Sequence, residues 1–264
     1  MADGKILIRK VKQLIKFEGG NEGDLTGLWH EDAKGIIEKS ENGELTGVLY
    51  DAALALLRPF VPRNTYENIG QAFDAAIQTM VSEGITTYMD ACVKPYLFEV
   101  YNTKYATNAD GLPRGFLSIA FTHELIKKIT LEANSKTSLS EIVKISENSK
   151  LTVNTVKFFM DGVYEDKTAY THHHYCCVDH HGLKHFDEKE LNHFAALLHK
   201  KGIRCHIHAI GEQAVRMALD ALENAHEQNP GTPDPRHYIA HNQVVREVDY
   251  GRFLKYNILL SLIS

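Results

Sequence analysis

Long apolar runs, basic runs and Cys-x-x-Cys pairs are all missing from this chain of 264 residues. No segment reaches the roughly 18 consecutive apolar residues that a membrane-spanning helix needs, so we expect no contact with a bilayer. No cluster of Lys and Arg marks a nucleic-acid surface, and a net charge of −5 implies no polyanionic partner. Membrane proteins and nucleic-acid-binding proteins are therefore not among the expected classes.

The cysteine pattern and the amino-terminal segment both favour a cytoplasmic chain. Four cysteines are present, and the adjacent pair Cys176 and Cys177 is badly placed for a disulfide bond. The apolar stretch within residues 1–10 is short and interrupted by charges, which is not the pattern of a signal peptide. We therefore expect free thiols and a cytoplasmic location.

Residues 1–65 differ in pattern from the remainder. Glycines punctuate short strand-like runs there, such as residues 5–11, and two prolines make residues 58–63 resemble a linker. From residue 66 onward, hydrophobic residues recur with the regular spacing of helices and strands. The sequence thus predicts an amino-terminal segment over 1–65 and a second domain over 66–264.

Helical and strand patterns alternate along this second domain. Such alternation predicts βαβ units and a parallel sheet. About six strands are expected, whereas a closed (β/α)8 barrel of the TIM type needs eight. We therefore expect an α/β fold, an incomplete (β/α)8 TIM-type barrel. The strands are predicted at 85–90, 115–121, 155–161, 203–209, 236–241 and 256–263, and the helices at 66–83, 95–107, 122–148 with breaks, 188–201, 212–228 and 245–255.

The third predicted strand carries a lysine in apolar surroundings. Side chains alternate across a strand, so Lys157, Phe159 and Asp161 should share one face. Burying an ammonium group is costly. Lys157 therefore either lies at the strand edge, or pairs with Asp161, or has a chemical role.

Histidines occupy the next two predicted strands. His206 and His208 share a face of one strand, and His208 lies at its carboxyl end; His241 ends the following strand on a face that also includes His237. Each could be a satisfied core histidine. In an α/β barrel, however, the active site lies at the carboxyl ends of the strands. Because imidazole nitrogen and carboxylate oxygen bind Zn²⁺, these positions together predict a metal site, to which Lys157 contributes only as a carbamate.

At this point the sequence resembles the amidohydrolase superfamily, specifically the family-3 branch of YtcJ-like metal-dependent hydrolases. The resemblance is collinear over about residues 35–264. Its most specific stretches are His-Ala-Ile-Gly at 208–211 and Arg-His-Tyr-Ile-Ala-His at 236–241. Further stretches match at 43–49, 84–91, 156–162, 167–169 and 206–215.

The resemblance implies a function and a set of site residues. Lys157 matches the carboxylated lysine ligand, and His208 and His241 match the histidine ligands of one or two divalent metals, Zn²⁺ first among them. The implied reaction is hydrolysis of an amide-like, non-peptide carbon–nitrogen bond in a small molecule by a metal-activated water. Four residues are candidates for substrate binding: Asp161, His206, His174 and Tyr175.

The sequence also departs from the family pattern. The His-x-His of barrel strand 1 and the catalytic Asp of strand 8 are missing in position, and Glu212 and Ala240 stand where the family usually has Asp and Glu. The triplet at 172–174 is either a substrate or metal contact or an exposed polar loop. A non-catalytic binding or assembly module therefore remains an alternative. We also expect open sheet edges, which favour homo-oligomerisation or indicate a longer parent protein.

Overall fold

The structure, a computed structural model, describes residues 35–51, 53–54, 64–132, 137–176 and 179–262. Its first element is an antiparallel hairpin of β1 (Gly35–Lys39) and β2 (Leu45–Asp51). Gly43 lies in the turn with φ +80°, a conformation that glycine adopts at no steric cost. Short strands in the segment 1–65 are thus confirmed within its described part, while the predicted strand at 5–11 and the linker at 58–63 lie outside the described residues.

A six-stranded parallel sheet forms the body of the chain. The strands are hydrogen-bonded in the order in which they occur in the sequence, and each is joined to its neighbour by helical segments. The sequence correctly predicted this α/β architecture. The strands are β3 (Thr87–Val93), β4 (Arg114–Ala120), β5 (Leu151–Phe159), β6 (Arg204–Ala209), β7 (Tyr238–His241) and β8 (Leu259–Ser261).

The connecting helices begin at well-formed caps. The Thr65 hydroxyl accepts the amide of Asn68 at 3.2 Å, and Ser138 and Glu141 form a capping box. The helices are α1 (Tyr66–Ser82), α2 (Phe98–Asn108), α3 (His123–Leu131), α4 (Leu139–Val143), α5 (Glu188–Lys200), α6 (Glu212–Gln228) and α7 (Tyr250–Lys255).

The hydrophobic core lies between the outer face of the sheet and these helices. Ile207 and Ile239 on neighbouring strands are fully buried there. Helix α6 presents an alanine- and leucine-rich face to the sheet and packs against α5. Four phenylalanines from the β4–α3 connection, β5, the loop before α5 and α5 make one aromatic cluster: Phe121, Phe158, Phe186 and Phe194. This packing fixes each strand and therefore the position of the residues at its end.

The inner face of the sheet is open in the described part of the chain. Strands β3 and β8 each have one neighbour there, and large apolar side chains remain accessible, with Met89 exposed by 44% and Phe159 by 43%. The described residues therefore form part of a barrel and do not close it. Oligomerisation through these edges stays a prediction.

Several predicted boundaries were wrong. The strand expected at 155–161 spans Leu151–Phe159, because Leu151 already pairs with Gly115 and because the chain turns away after Phe159. The helical stretch at 122–148, by contrast, was predicted with breaks and does contain two separate helices, α3 and α4. The final strand, predicted at 256–263, spans Leu259–Ser261 within the described residues, where it pairs with β7; residue 263 lies outside them.

Candidate functional site

Three neighbouring strands bring the predicted metal ligands to one end of the sheet. Lys157 lies near the end of β5, His208 near the end of β6, and His241 ends β7. The imidazole ring centroids of His208 and His241 are 4.5 Å apart. The Lys157 ammonium lies 5.0 Å from the centroid of the Phe159 ring, which itself contacts the ring of His208. The structure thus groups at the carboxyl ends the residues that the sequence placed there.

Lys157 is buried on the inner face of the sheet, with 4% of its surface exposed. Burial lowers the pKa of its amine to about 8 from an ordinary value of 10.5. Its Nζ atom lies 3.0 Å from Nε2 of His206 on the next strand. The lysine is therefore not at a sheet edge, and its amine is closer to its neutral form than that of an exposed lysine.

His208 is held by one ring nitrogen. Its Nε2–H donates to the carbonyl of Gly162 at 3.1 Å, and the carboxylate of Asp161 lies 3.5 Å away. Burial lowers the pKa of His208 to about 4, so this contact joins a carboxylate and a neutral ring and is not an ion pair at neutral pH. The remaining lone pair belongs to Nδ1. Metal-binding histidines commonly have this arrangement, in which the other nitrogen donates to a carbonyl or carboxylate.

Asp161 is a buried carboxylate that organises the neighbouring turns. It accepts backbone N–H bonds from Ile210 at 3.0 Å, from Gly211 at 2.8 Å and from Tyr170 at 2.9 Å. These bonds join the end of β5 to the β6–α6 turn. Asp161 thereby fixes the turn that follows His208 and the loop segment around Tyr170.

The backbone at His241 is strained. His241 has φ +78° and Asn242 has φ +48°, both in the left-handed region that side chains with a Cβ rarely adopt. The Asn242 side-chain amide donates to the carbonyl of Ile239 at 2.7 Å, and its backbone N–H donates to that of Ala209 at 3.1 Å. Such strain persists only where the surroundings impose it and occurs often at functional sites.

The histidine-rich loop after β5 is attached to this region through Asp161 and Glu212. His174 donates to the exposed carboxylate of Asp179 at 2.5 Å, and its ring centroid lies 4.0 Å from that of His181. The Tyr175 hydroxyl donates to the carbonyl of Ala169 at 2.8 Å. His174 is exposed, whereas Tyr175 is half-buried. Of the predicted substrate-binding residues, His174 and Tyr175 thus lie in the loop, whereas Asp161 and His206 are buried near the strand ends.

Glu212 anchors the loop to the start of α6. Its carboxylate accepts the Tyr164 hydroxyl at 3.0 Å and the backbone N–H of His172 at 2.7 Å. The adjacent Gly211 leaves no room for a side chain, because a Cβ there would lie 2.1 Å from the carbonyl oxygen of Tyr170. Glu212, which stands where the family usually has Asp, therefore attaches the loop to the start of α6.

Three further side chains reach the site and were not expected from the sequence. Ser118 on β4 and Tyr238 on β7 are buried and lie next to His206. Cys92 on β3 is half-buried; burial raises the pKa of its thiol, while the nearby charge of Lys157 lowers it. Ser118 and Tyr238 lie 88 and 32 residues from His206 in the sequence, so only strand alignment brings them together.

A second histidine group lies at the opposite end of the sheet. His199 and His226 are near the carboxyl ends of α5 and α6, and His237 immediately precedes β7, so their closest nitrogens lie within 4.8 Å of one another. This spacing could hold a metal ion. The hydrogen bonds oppose it, however, because the Cys205 N–H donates to Nδ1 of His237 at 2.9 Å. Nε2 of His237 then carries the proton, which it donates to His199 at 3.0 Å.

The comparison with known families decides the classification. The family model described as the amidohydrolase family matches residues 22–262. The chain belongs to this amidohydrolase family. The family resemblance inferred from the sequence is therefore confirmed.

The chain is also similar to several individual proteins. Protein LONG AFTER FAR-RED 3 of Arabidopsis thaliana is 26% identical over 246 residues, covering 89% of this chain and 40% of the relative. The putative amidohydrolase YtcJ of Bacillus subtilis is 26% identical over 204 residues, with coverages of 74% and 35%. The N-substituted formamide deformylase of Arthrobacter pascens is 25% identical over 202 residues, with coverages of 74% and 36%.

The fold also has a match among solved structures. An uncharacterized metal-dependent hydrolase from Pyrococcus furiosus superposes with a TM-score of 0.62 at 18% identity, covering 84% of this chain and 44% of that chain. This chain therefore spans less than half the length of each of these proteins. Within the described residues, no helix combines the length and the apolar character that crossing a bilayer requires.

Proposed function

We propose that this chain supplies part of the active site of a metal-dependent hydrolase that cleaves amide-like carbon–nitrogen bonds in small molecules. The observation that carries the proposal is the grouping of Lys157, His208 and His241 at the carboxyl ends of three neighbouring strands. The family assignment supports a hydrolase, and the related formamide deformylase supports the bond type.

These residues fit a borderline divalent cation, for which Zn²⁺ is the first choice. His208 keeps Nδ1 available, since its Nε2–H is bound to a carbonyl. The buried Lys157 amine is nearer neutrality than an exposed one and can add CO₂ to become an anionic oxygen ligand. The resulting nitrogen and oxygen donors are those that Zn²⁺ prefers. When bound, such a cation lowers the pKa of water and polarises a carbonyl group.

The residues of this chain would position the substrate and exclude water. Asp161 fixes the β6–α6 turn, and the aromatic ring of Phe159 contacts both the Lys157 ammonium and the His208 ring. We propose that the loop bearing His174 and Tyr175 forms the outer wall against which the substrate lies. The hydrogen bonds of Glu212 to this loop hold it at a fixed position relative to the start of α6.

Hydrolysis assays of the chain loaded with Zn²⁺ test the proposed reaction. We expect turnover of an N-formyl amine, an N-acyl amino acid or a cyclic amide, and its loss in His208→Ala. The matched control is His193→Ala, which removes an exposed histidine on α5. Metal binding without turnover of any of these substrates would favour the alternative, a binding module, over a chain that is active by itself.

A further inference from the structure

The deepest polar feature of the inner face is a line of side chains that starts at Lys157. Nζ of Lys157 lies 3.0 Å from Nε2 of His206, and Nδ1 of that ring lies 3.2 Å from the Ser118 hydroxyl. The Ser118 hydroxyl lies 3.3 Å from that of Tyr238, which lies 3.0 Å from the sulfur of Met89. These residues come from five different strands, β3 to β7.

The sulfur of Met89 determines the direction of every bond in this line. A thioether can only accept, so the Tyr238 hydroxyl donates to it. The Tyr238 oxygen must then accept from Ser118, and the Ser118 oxygen must accept from Nδ1–H of His206. Nε2 of His206 is left with its lone pair. It therefore accepts an N–H from Lys157.

This direction leaves His206 without a nitrogen for metal or substrate. Both ring nitrogens have partners, only 1% of the residue is exposed, and the ring stacks on that of Tyr238 at 4.2 Å between centroids. His206 lies between Lys157 and Ser118, and its Nε2 atom holds the lysine amine in place. The sequence alone gave His206 a role in substrate binding.

We propose that His206, held in its Nδ1–H tautomer by Ser118 and Tyr238, is a positioning residue that orients the amine of Lys157 for carboxylation. This proposal rests on the proposed function, in which Lys157 is a carbamate. The Lys157 nitrogen lone pair forms the N–C bond to CO₂, one C=O electron pair moves to oxygen, and the amine releases one proton to solvent. The carbamate keeps one N–H, which still donates to His206, so its oxygens point away from that ring.

The tautomer of His206 is directly measurable by ¹H–¹⁵N NMR of the full chain, in spectra that correlate ring nitrogens with ring carbon-bound protons. The His206 signals are assigned by their loss in His206→Gln. We expect the Nδ1–H form in the native chain and in Ser118→Thr, and an increased Nε2–H population in Ser118→Ala and Tyr238→Phe. An Nε2–H tautomer in the native chain would overturn the positioning proposal.

A second measurement, the ¹³C signal of the carbamate, tests how these contacts affect the carboxylation of Lys157. With ¹³C-bicarbonate and Zn²⁺, we expect a carbamate signal that Lys157→Gln removes. Ser118→Ala and Tyr238→Phe should each reduce it roughly two- to tenfold, as loss of one hydrogen bond predicts, and Ser118→Thr should restore it. Buried Ser140 and half-buried Tyr256 provide the controls Ser140→Ala and Tyr256→Phe, which should leave the signal unchanged.

The two measurements separate the two proposals. Equal carbamate occupancy in Ser118→Ala and in the native chain, at matched thermal stability, would overturn the role of the line. Absence of any carbamate signal in the native chain would instead overturn the carbamate ligand of the proposed function. In that case the NMR tautomer still decides whether His206 is held as the structure indicates.

Discussion

The imidazole rings of His208 and His241 meet at 4.5 Å between centroids, from the ends of two hydrogen-bonded strands. The register places Ala209 opposite His241, so the two histidines are offset by one residue along the sheet. His208 is fixed by the Gly162 carbonyl, and His241 is fixed by a left-handed backbone. Rigid placement of this kind is what a metal site needs from its ligands.

Removal of the Asp161 charge should destabilise the chain and loosen the site. Ile210 donates to one carboxylate oxygen of Asp161, whereas Gly211 and Tyr170 donate to the other. Asp161→Asn replaces one of these oxygens by an amide nitrogen, which cannot accept, so at least one buried N–H loses its partner. We expect a loss of about 2–3 kcal/mol in the free energy of unfolding, measured by urea denaturation. Asp179→Asn, at an exposed carboxylate, is the control and should cost less than about 1 kcal/mol. Equal losses in the two variants would contradict this role of Asp161.

Gly211 should not tolerate even a methyl group. Its φ of −71° is ordinary, so the constraint is steric: a Cβ would overlap the Tyr170 carbonyl at 2.1 Å. We expect Gly211→Ala to lower the free energy of unfolding by about 1–3 kcal/mol, as for an overpacked core, and to weaken metal binding. Gly251→Ala in α7, where a Cβ meets open space, should instead be stabilising by about 0.5–1 kcal/mol. Thermal denaturation of both variants distinguishes these outcomes.

The histidine group at the amino-terminal end of the sheet predicts acid sensitivity. Burial lowers the pKa of His237 to about 3 from 6.5, with nearby His199 and His226 acting in the same direction. The unfolded chain therefore binds more protons below about pH 6.5, so stability is fully present above that pH and is lost as the pH falls toward about 3. His237 should contribute a slope of about 1.4 kcal/mol per pH unit in this window.

Urea unfolding at several pH values tests this contribution. His237→Asn retains an oxygen that can accept the Cys205 N–H but removes the titrating ring. Its free energy of unfolding should fall less steeply with acid than that of the native chain, while His193→Asn should keep the native slope. All histidines other than His193 and His237 are present in the three proteins. A difference in slope between His237→Asn and the native chain is therefore due to His237. Identical slopes in His237→Asn and the native chain would show that the ring is not held neutral.

Much of the fold followed from hydrophobic spacing. Helix α6 occupies Glu212–Gln228, as its alanine and leucine pattern predicted, and the strands that carry His208 and His241 lie where alternation placed them. Local periodicity is sufficient for these elements because each buries one face. The same reasoning placed Lys157 among the residues of the site.

The contacts that orient the site could not be predicted in this way. Ser118 and Tyr238 are separated by 120 residues and meet only through the lateral order of the strands. Alternation predicts a strand that reaches Asp161, but β5 ends at Phe159, and Asp161 instead bonds to the backbone of Tyr170, Ile210 and Gly211. Such bonds depend on register and loop closure, for which the sequence pattern contains no local signal.

Zinc binding by the 264-residue chain tests the central claim most directly. The measurement is titration calorimetry together with metal analysis of the native chain, of Lys157→Ala, His208→Ala and His241→Ala, and of His226→Ala at the opposite end of the sheet. We predict that Zn²⁺ binding is weakened at least roughly tenfold by each of the first three substitutions and is retained in His226→Ala, since removing one metal ligand removes a principal part of the binding energy. Zinc binding that survives all three substitutions and disappears in His226→Ala would place the metal at the other histidine group and contradict the account.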